Sequence, residues 1–439
     1  EETKIATPFG RKFMASFSAD GAQIAYIGRD QTGRFYQNSS LYIIPAGGGS
    51  ARNLTKAYDL HVEAFTINDV GSGAPQTPPV WSLDGQFIYV QAMMRGDQPL
   101  LAVPVAEDSS GPQRAIMEPG IISGFSFDKA QKKVGVLWGF LGNTEQVAVK
   151  EMDEAELNVL TEFNQAVLAE LALTEIEEVN FAGSKGYELQ GWILKPPDFD
   201  PTKRYPSILE IHGGPQTQYG RTFMHEFHYL AAQGYIVYWC NPRGSQGYGE
   251  DFAGAIYGNW GDVDYVDVMA WADYMEQQPY IDPQRMGVTG GSYGGYMTTL
   301  IIGRSDRFEA AVAQRVVSNL ISMYGSRDLN IVVEELMGTQ TPPWMDLENH
   351  WRMSPISAIG GAKTPTLVMH SESDNRCDKE QGEQVFVALQ QMGVDSELVL
   401  FPEESHGLSR NGRTDRRIAR LQHMARWFEK YLKQGQDAG

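Results

Sequence analysis

Residues 287–303 read GVTGGSYGGYMTTLIIG. The apolar lead-in from Met286 has the character of a short buried strand, and the run from Tyr293 onward begins a helix. Between them Gly290-Gly291-Ser292-Tyr293-Gly294 matches G-x-S-x-G. In that pattern the serine occupies a strained strand-to-helix turn, and its neighbours must be small so that backbone can pass close by. A phosphate-binding loop would need G-x-x-x-x-G-K-[ST], and no lysine follows here. A dinucleotide fingerprint would need a later acidic residue and a place on the first strand of the domain. A tight turn with a serine N-cap is the plain structural alternative. Five residues alone do not decide between turn and nucleophile, so the surrounding order must.

Working outward, short apolar runs recur from about residue 175: SILEIHGG (207–214), GYIVYWCNP (234–242), RMGVTGG (285–291), EAAVAQ (309–314), PTLVMH (365–370) and SELVLF (396–401). They alternate with segments of helical character around 222–233, 261–277, 293–304, 378–392 and 414–434. Such alternation predicts a mostly parallel sheet covered by helices on both faces. Ligands then sit at the carboxyl ends of the strands.

A serine is a poor nucleophile near neutral pH without a base, and the base needs a carboxylate to orient it. In α/β-hydrolases the chain order is serine, acid, histidine. Four histidines follow Ser292: His350, His370, His406 and His423. His406 lies in FPEESHGLSRNG just after a strand, where a base is needed. His423 falls in the last helix, His370 ends a strand and reads as structural, and His350 sits in a polar stretch with no strand before it. VMHSESDNRCD offers Glu372, Asp374 and Asp378, of which Asp374 is best placed past its strand. Backbone donors for an oxyanion are expected at Tyr293, after the nucleophile, and at Gly214 in the IHGGPQ loop.

The first 165 residues have a different grammar. FSADGAQIAYIG (17–28), WSLDGQFIYVQA (81–92) and FSFDKAQKKVGVLWG (125–139) share an aromatic, a serine and an aspartate, then a turn and alternating apolar residues. Each is followed by a second strand-like run. The repeats start at Ser18, Ser82 and Ser126, steps of 64 and 44 residues. The shorter step suits one four-stranded propeller blade, and the longer needs an insertion around 59–79. A β-sandwich is the alternative. Three blades do not close a ring. The expected organisation is therefore a β-rich partial, truncated β-propeller over 1–165 and an α/β-hydrolase domain over 166–439.

The words IHGGPQ, NPRGSQGYG (241–249), GVTGGSYGGYMT, HSESDNRC and ESHGLSRNG occur in that order. In them the chain resembles the prolyl oligopeptidase family of serine peptidases, in its acylaminoacyl-peptidase and dipeptidyl-aminopeptidase-like branch. The resemblance is dense from about residue 160 to 434 and looser over the repeats. It implies Ser292, Asp374 and His406 as a triad, Tyr293 and Gly214 as oxyanion donors, and no metal or cofactor. It also implies that Arg376 binds a substrate carbonyl on the acyl side, a task suited to a guanidinium. An ion pair from Arg376 to a nearby acid is the alternative, and it would add little if exposed. Val316, Val317, Leu320, Met323 and Tyr324 form a candidate wall for a side-chain pocket, with Val317 and Tyr324 the chosen contacts; core packing explains most of these equally. The chain departs from relatives at Asp378 and at Gly407, where glycine adds freedom beside the base.

The composition sets outer bounds. Apolar residues make up 42% and charged residues 21% of 439, and 36 basic against 55 acidic side chains leave a formal charge of −19. That balance argues against nucleic acid and anionic membrane as partners. Only Cys240 and Cys377 are present, too few for a disulfide framework or a cysteine-rich zinc site. The polar start EETKIATPFG lacks a signal core and does not begin with Met, so the chain reads as a processed form or a fragment. The cytoplasm is the favoured compartment, with the periplasm or secretion open. Short peptides are the expected substrate; self-association and an upstream propeller segment stay open as partners. A carboxylesterase with the same triad and a catalytically silent scaffold are the rival readings.

Overall fold

The computed structural model describes residues 4–30, 34–70, 76–107, 110–326, 328 and 333–433. The chain divides into two compact units: Glu1–Leu171 with Gln216–Phe223 and Gln246–Gly254, and Ala172–Pro215 with Met224–Ser245 and Ala255–Gly439. Two short segments that lie beyond residue 171 in the sequence thus group with the N-terminal unit.

The first unit holds three four-stranded antiparallel sheets, each a simple meander. The first contains β1 (Lys12–Phe17), β2 (Gln23–Gly28), β3 (Ser40–Pro45) and β4 (Arg52–Asn53). The second contains β5 (Val80–Trp81), β6 (Phe87–Gln91), β7 (Leu100–Pro104) and β8 (Gln113–Arg114). The third contains β9 (Ile121–Phe127), β10 (Lys133–Phe140), β11 (Asn143–Glu151) and β12 (Leu157–Val159). Each repeat word falls on the turn between the first two strands of a sheet. The insertion expected around 59–79 lies between β4 and β5, where Thr66 makes an isolated bridge to Gln218; residues 71–75 of it lie outside the described residues.

The serine and aspartate of the repeat are explained by that turn. Asp84 Oδ1 accepts from the Ser82 hydroxyl at 2.6 Å and from the Gln86 amide at 3.0 Å, while Ser82 Oγ accepts from the Phe87 amide at 2.9 Å. Ser18 and Asp20 repeat the arrangement with the amides of Gln23 and Ala22. At the third turn Asp128 takes the amides of Ala130 and Lys133 itself. Side chains that close their own turn in this way fix hairpin register locally. The sheets then share cores. Ala25, Ile27, Leu41 and Ile43 of the first pack with Ile88, Val90, Leu101 and Val103 of the second. Leu100 of the second packs with Ile122, Phe125, Val134 and Val136 of the third.

The second unit is built on one eight-stranded sheet of order β13-β14-β16-β15-β17-β18-β19-β20. Its strands are β13 (Ile176–Ala182), β14 (Glu188–Leu194), β15 (Tyr205–Ile211), β16 (Ile236–Asn241), β17 (Ile281–Gly291), β18 (Ala310–Gln314), β19 (Thr366–Ser371) and β20 (Ser396–Phe401). In the order β16-β15-β17-β18-β19-β20 neighbouring strands run parallel, while β13 pairs antiparallel with β14 and β14 antiparallel with β16. All six residues of β16 and of β19 and all five of β18 are buried, so both faces of these strands are covered. The main helices are α1 (His225–Ala232), α2 (Val263–Glu276), α3 (Tyr293–Arg304), α4 (Glu380–Gln391) and α5 (Thr414–Leu432). In α5 the buried residues Arg420, Leu421, Met424, Trp427, Phe428 and Leu432 recur at helical spacing and form its inward stripe. The strand order reverses between β16 and β17, and the carboxyl ends of β15, β17, β19 and β20 are where IHGGPQ, Ser292, Asp374 and His406 follow.

The repeat turns carry a stability prediction. Ser82→Ala removes a hydroxyl that both donates and accepts within the turn, and should cost about 1 kcal/mol in denaturant unfolding without changing the far-ultraviolet spectrum. A loss near zero would remove the turn from the account of the repeat.

Candidate active site

Ser292 stands at φ 62° and ψ −119°, a left-handed backbone that side chains other than glycine rarely adopt. The sequence around it supplies the room for that turn. A Cβ at residue 294 would fall 2.0 Å from the carbonyl oxygen of Ile211, and one at residue 290 would lie 2.6 Å from the same atom. Only glycine permits these approaches. The Ser292 amide donates to Gln314 C=O at 3.1 Å, which ties the turn to the end of β18. The Ser292 hydroxyl lies beside the β15 loop: a Cβ on Gly213 would be 3.8 Å from Ser292 Oγ.

That loop is held from behind by His212. Its Nδ1 lies 2.7 Å from Gly213 C=O and its Nε2 lies 2.9 Å from the Ser245 hydroxyl, which itself donates to Pro242 C=O at 2.7 Å. Burial pushes the His212 imidazole down to about 4, which keeps it neutral. Gly214 follows at φ 124°, a conformation open to glycine. Tyr293 opens α3. Its ring is fixed by a hydrogen bond from its hydroxyl to Asp264 Oδ2, by edge contact with Trp260 at 5.1 Å, and by stacking on Tyr296 at 5.5 Å. Asp264 also accepts from the Gly261 amide at 3.0 Å. His212 lies within the IHGGPQ motif, whereas Asp264 is marked out by no short motif.

Asp374 and His406 are joined. His406 Nδ1 donates to Asp374 Oδ2 at 2.8 Å. The other oxygen, Oδ1, accepts the amides of Arg376 and Cys377, each at 2.9 Å. The acid is thus oriented by the turn that follows it, and only 1% of its surface is exposed. Burial works to raise its pKa, but the hydrogen bond and charge of His406 and the Cys377 amide hold it below the usual carboxylate range. Burial pushes the His406 imidazole down to about 4, against the pull of Asp374 and with the help of the Arg315 cation. The pair is a neutral imidazole with Nδ1 protonated and Nε2 free to accept a proton. Gly407, beside the base, is covered by Asn411, whose Oδ1 would lie 2.2 Å from a Cβ there.

The remaining candidates are placed differently. Arg376 forms a two-point ion pair with Asp328, Nε to Oδ1 at 2.8 Å and Nη2 to Oδ2 at 3.2 Å, both side chains about half exposed. Val316, Val317, Leu320 and Met323 are buried. Tyr324 is partly exposed. Its hydroxyl donates to Glu334 at 2.5 Å and its ring meets the edge of Trp344 at 5.3 Å. His350, read as part of a polar stretch, lies instead in the short helix Leu347–Met353 and is buried. His423 lies on α5. Cys240 and Cys377 are buried free thiols. Among the described residues no group of three His, Cys, Asp or Glu is arranged to hold a metal.

Three imidazoles of this unit, at His212, His228 and His406, fall to about 4 through burial. Between pH 6.5 and 4 the unfolded chain therefore binds more protons than the folded one, and stability rises with pH across that window. The thermal midpoint of unfolding should be level from pH 8 to 7 and fall steadily from pH 6.5 to 4.5, each histidine contributing on the order of 2 kcal/mol at the lower end. A flat profile down to pH 4.5 would contradict the neutral buried imidazoles.

Comparison with known proteins finds a family model and relatives that this chain resembles. Residues 221–435 match the prolyl oligopeptidase family. An uncharacterized peptidase, YuxL, of Bacillus subtilis is 36% identical over 401 residues, 90% of this chain and 60% of that protein. Dipeptidyl-peptidase 5 of Schizosaccharomyces pombe is 34% identical over 262 residues, 57% of this chain and 38% of that protein. Acylaminoacyl peptidase of Pyrococcus horikoshii superposes with a TM-score of 0.82 at 25% identity, over 94% of this chain and 62% of that one. The chain therefore spans 60% of the length of the first of these curated relatives and 38% of the second. The segment that carries Ser292, Asp374 and His406 is thus the part of the chain that resembles the prolyl oligopeptidase family.

Proposed function

We propose that the protein is a serine peptidase that cleaves short peptides through an acyl-enzyme. The observation that supports this reading is the Asp374–His406 hydrogen bond, together with a serine at positive φ in a turn that its neighbouring glycines make possible. Ser292 Oγ attacks the scissile carbonyl carbon while His406 Nε2 takes its proton. Asp374, already ionised and fixed by two amides, faces the imidazolium that forms and keeps Nδ1 protonated. The carbonyl oxygen becomes an oxyanion received by the amides of Tyr293 and Gly214, donors typically worth about 3 kcal/mol each in the barrier. His406 then returns the proton to the leaving amine. Water, activated by the same imidazole, releases the acyl group and restores Ser292.

Acylaminoacyl peptidase and dipeptidyl-peptidase are the names carried by proteins this chain resembles, and both terms describe removal of one or two residues from a chain end. We take the same class of substrate for this chain. In the same reading the three meander sheets are blades of a β-propeller, as the family resemblance implies. Arg376 contributes a donor to a substrate carbonyl. Asp328 engages Nε and Nη2, which leaves Nη1 for that contact. Val317 and Tyr324 are assigned to the side-chain pocket, with Tyr324 the part-exposed member.

Two outcomes follow. A fluorophosphonate probe should label the wild-type chain at one residue, Ser292, and Ser292→Ala should abolish both labelling and hydrolysis of acyl-amino-acid and dipeptidyl anilides. Turnover of aryl esters with no amide cleavage would replace the peptidase reading with an esterase. Arg376→Ala should raise KM about tenfold or more with kcat little changed, since it removes a contact made equally in the ground and transition states. A kcat loss at constant KM would instead place Arg376 in the transition state.

A further inference from the structure

Arg315 is the first residue after β18, and its backbone and side chain reach three separate strand ends. Its φ is 37°, a left-handed conformation that a long side chain adopts only when its surroundings enforce it. Its amide donates to Met369 C=O at 2.8 Å, on the strand whose loop carries Asp374. Its Nη1 donates to Ser409 Oγ at 3.1 Å, three residues past His406. Its guanidinium covers Gly291, the residue before Ser292: a Cβ at 291 would lie 2.6 Å from Arg315 Cζ. Its Nε is sheltered from solvent and has no hydrogen-bond partner among the described residues.

We propose that Arg315 is a positioning residue for the peptidase reaction, locking the turns that present Ser292, Asp374 and His406 into one relative geometry. The inference rests on the function proposed above. A positive φ at an arginine has a cost that a plain loop residue would avoid, and the three contacts offset it.

Its charge has a second effect. His406 is faced by Asp374, which favours its cation, and by Arg315 and Arg410, which oppose it. Arg315 in turn is faced by Arg410 and Arg420 and by Glu226 and Asp374. A fixed cation this close to the base keeps the imidazole free to accept a proton at lower pH. Removing the charge should let His406 protonate more readily.

The test compares wild type, Arg315→Met, Arg315→Lys and Ser409→Ala, each as the full chain, by kcat, KM and the pH dependence of fluorophosphonate labelling. Arg315→Met should lower kcat and the labelling rate at least about tenfold with KM nearly unchanged, as expected for a misplaced reacting group. Its acidic limb should move up in pH. Arg315→Lys should restore the limb but not the full rate, because one ammonium cannot make the same contacts. Ser409→Ala keeps the charge and removes one tie, so it should lower kcat several-fold with the limb unmoved. If Arg315→Met fails to fold, Arg315→Lys and Ser409→Ala decide. Folded variants with wild-type kcat and an unmoved limb would overturn the positioning role while leaving the peptidase intact. A wild-type chain that does not label overturns both.

Discussion

Everything in the catalytic unit depends on backbone passing backbone where β15 meets the turn after β17. The carbonyl of Ile211 lies where a side chain at residue 290 or 294 would have to begin. That approach draws the IHGGPQ loop and the Ser292 turn together at the sheet's carboxyl edge, and it leaves no freedom for any residue but glycine. Because the strands are parallel and buried on both faces, their carboxyl ends are also the one place where loops can diverge into solvent. The fold and the site are therefore one consequence of a single close contact.

Around that contact the polar groups are arranged so that each is fixed by something other than substrate. Asp374 is oriented by the amides of its own turn and His406 by Asp374. The 213–214 loop is backed by the ring of His212, and Tyr293 is anchored by Asp264. Burial depresses the imidazoles and would raise the carboxylate, yet the hydrogen bonds around Asp374 outweigh burial and keep it ionised. In the proposed reaction, groups fixed in this way would need little reorganisation when charge develops on the reacting oxygen.

Much of this was legible in sequence because the signals are local. Glycine spacing around Ser292, apolar runs for β15 to β20, and the placement of Asp374 and His406 just past strands each need only a few neighbouring residues. The serine–aspartate repeat was legible for the same reason, since those side chains bond within their own turns. The β13–β14 hairpin was not, because its exposed and buried residues do not form a clean apolar run: Glu177, Glu178 and Asn180 interrupt β13. Arg315 and Asp264 carry no motif, and their contacts join residues far apart in the chain. Arg376 and Asp328 lie 48 residues apart, and nothing in either neighbourhood announces their ion pair.

The most direct measurement is a crystal structure of the chain after reaction with a peptidyl phosphonate. The account predicts phosphorus bonded to Ser292 Oγ, its phosphoryl oxygen within hydrogen-bonding distance of the Tyr293 and Gly214 amides, and His406 Nε2 facing the adduct while Nδ1 stays on Asp374. An adduct on another side chain, or an imidazole at 406 turned out of reach of the Ser292 oxygen, would contradict it.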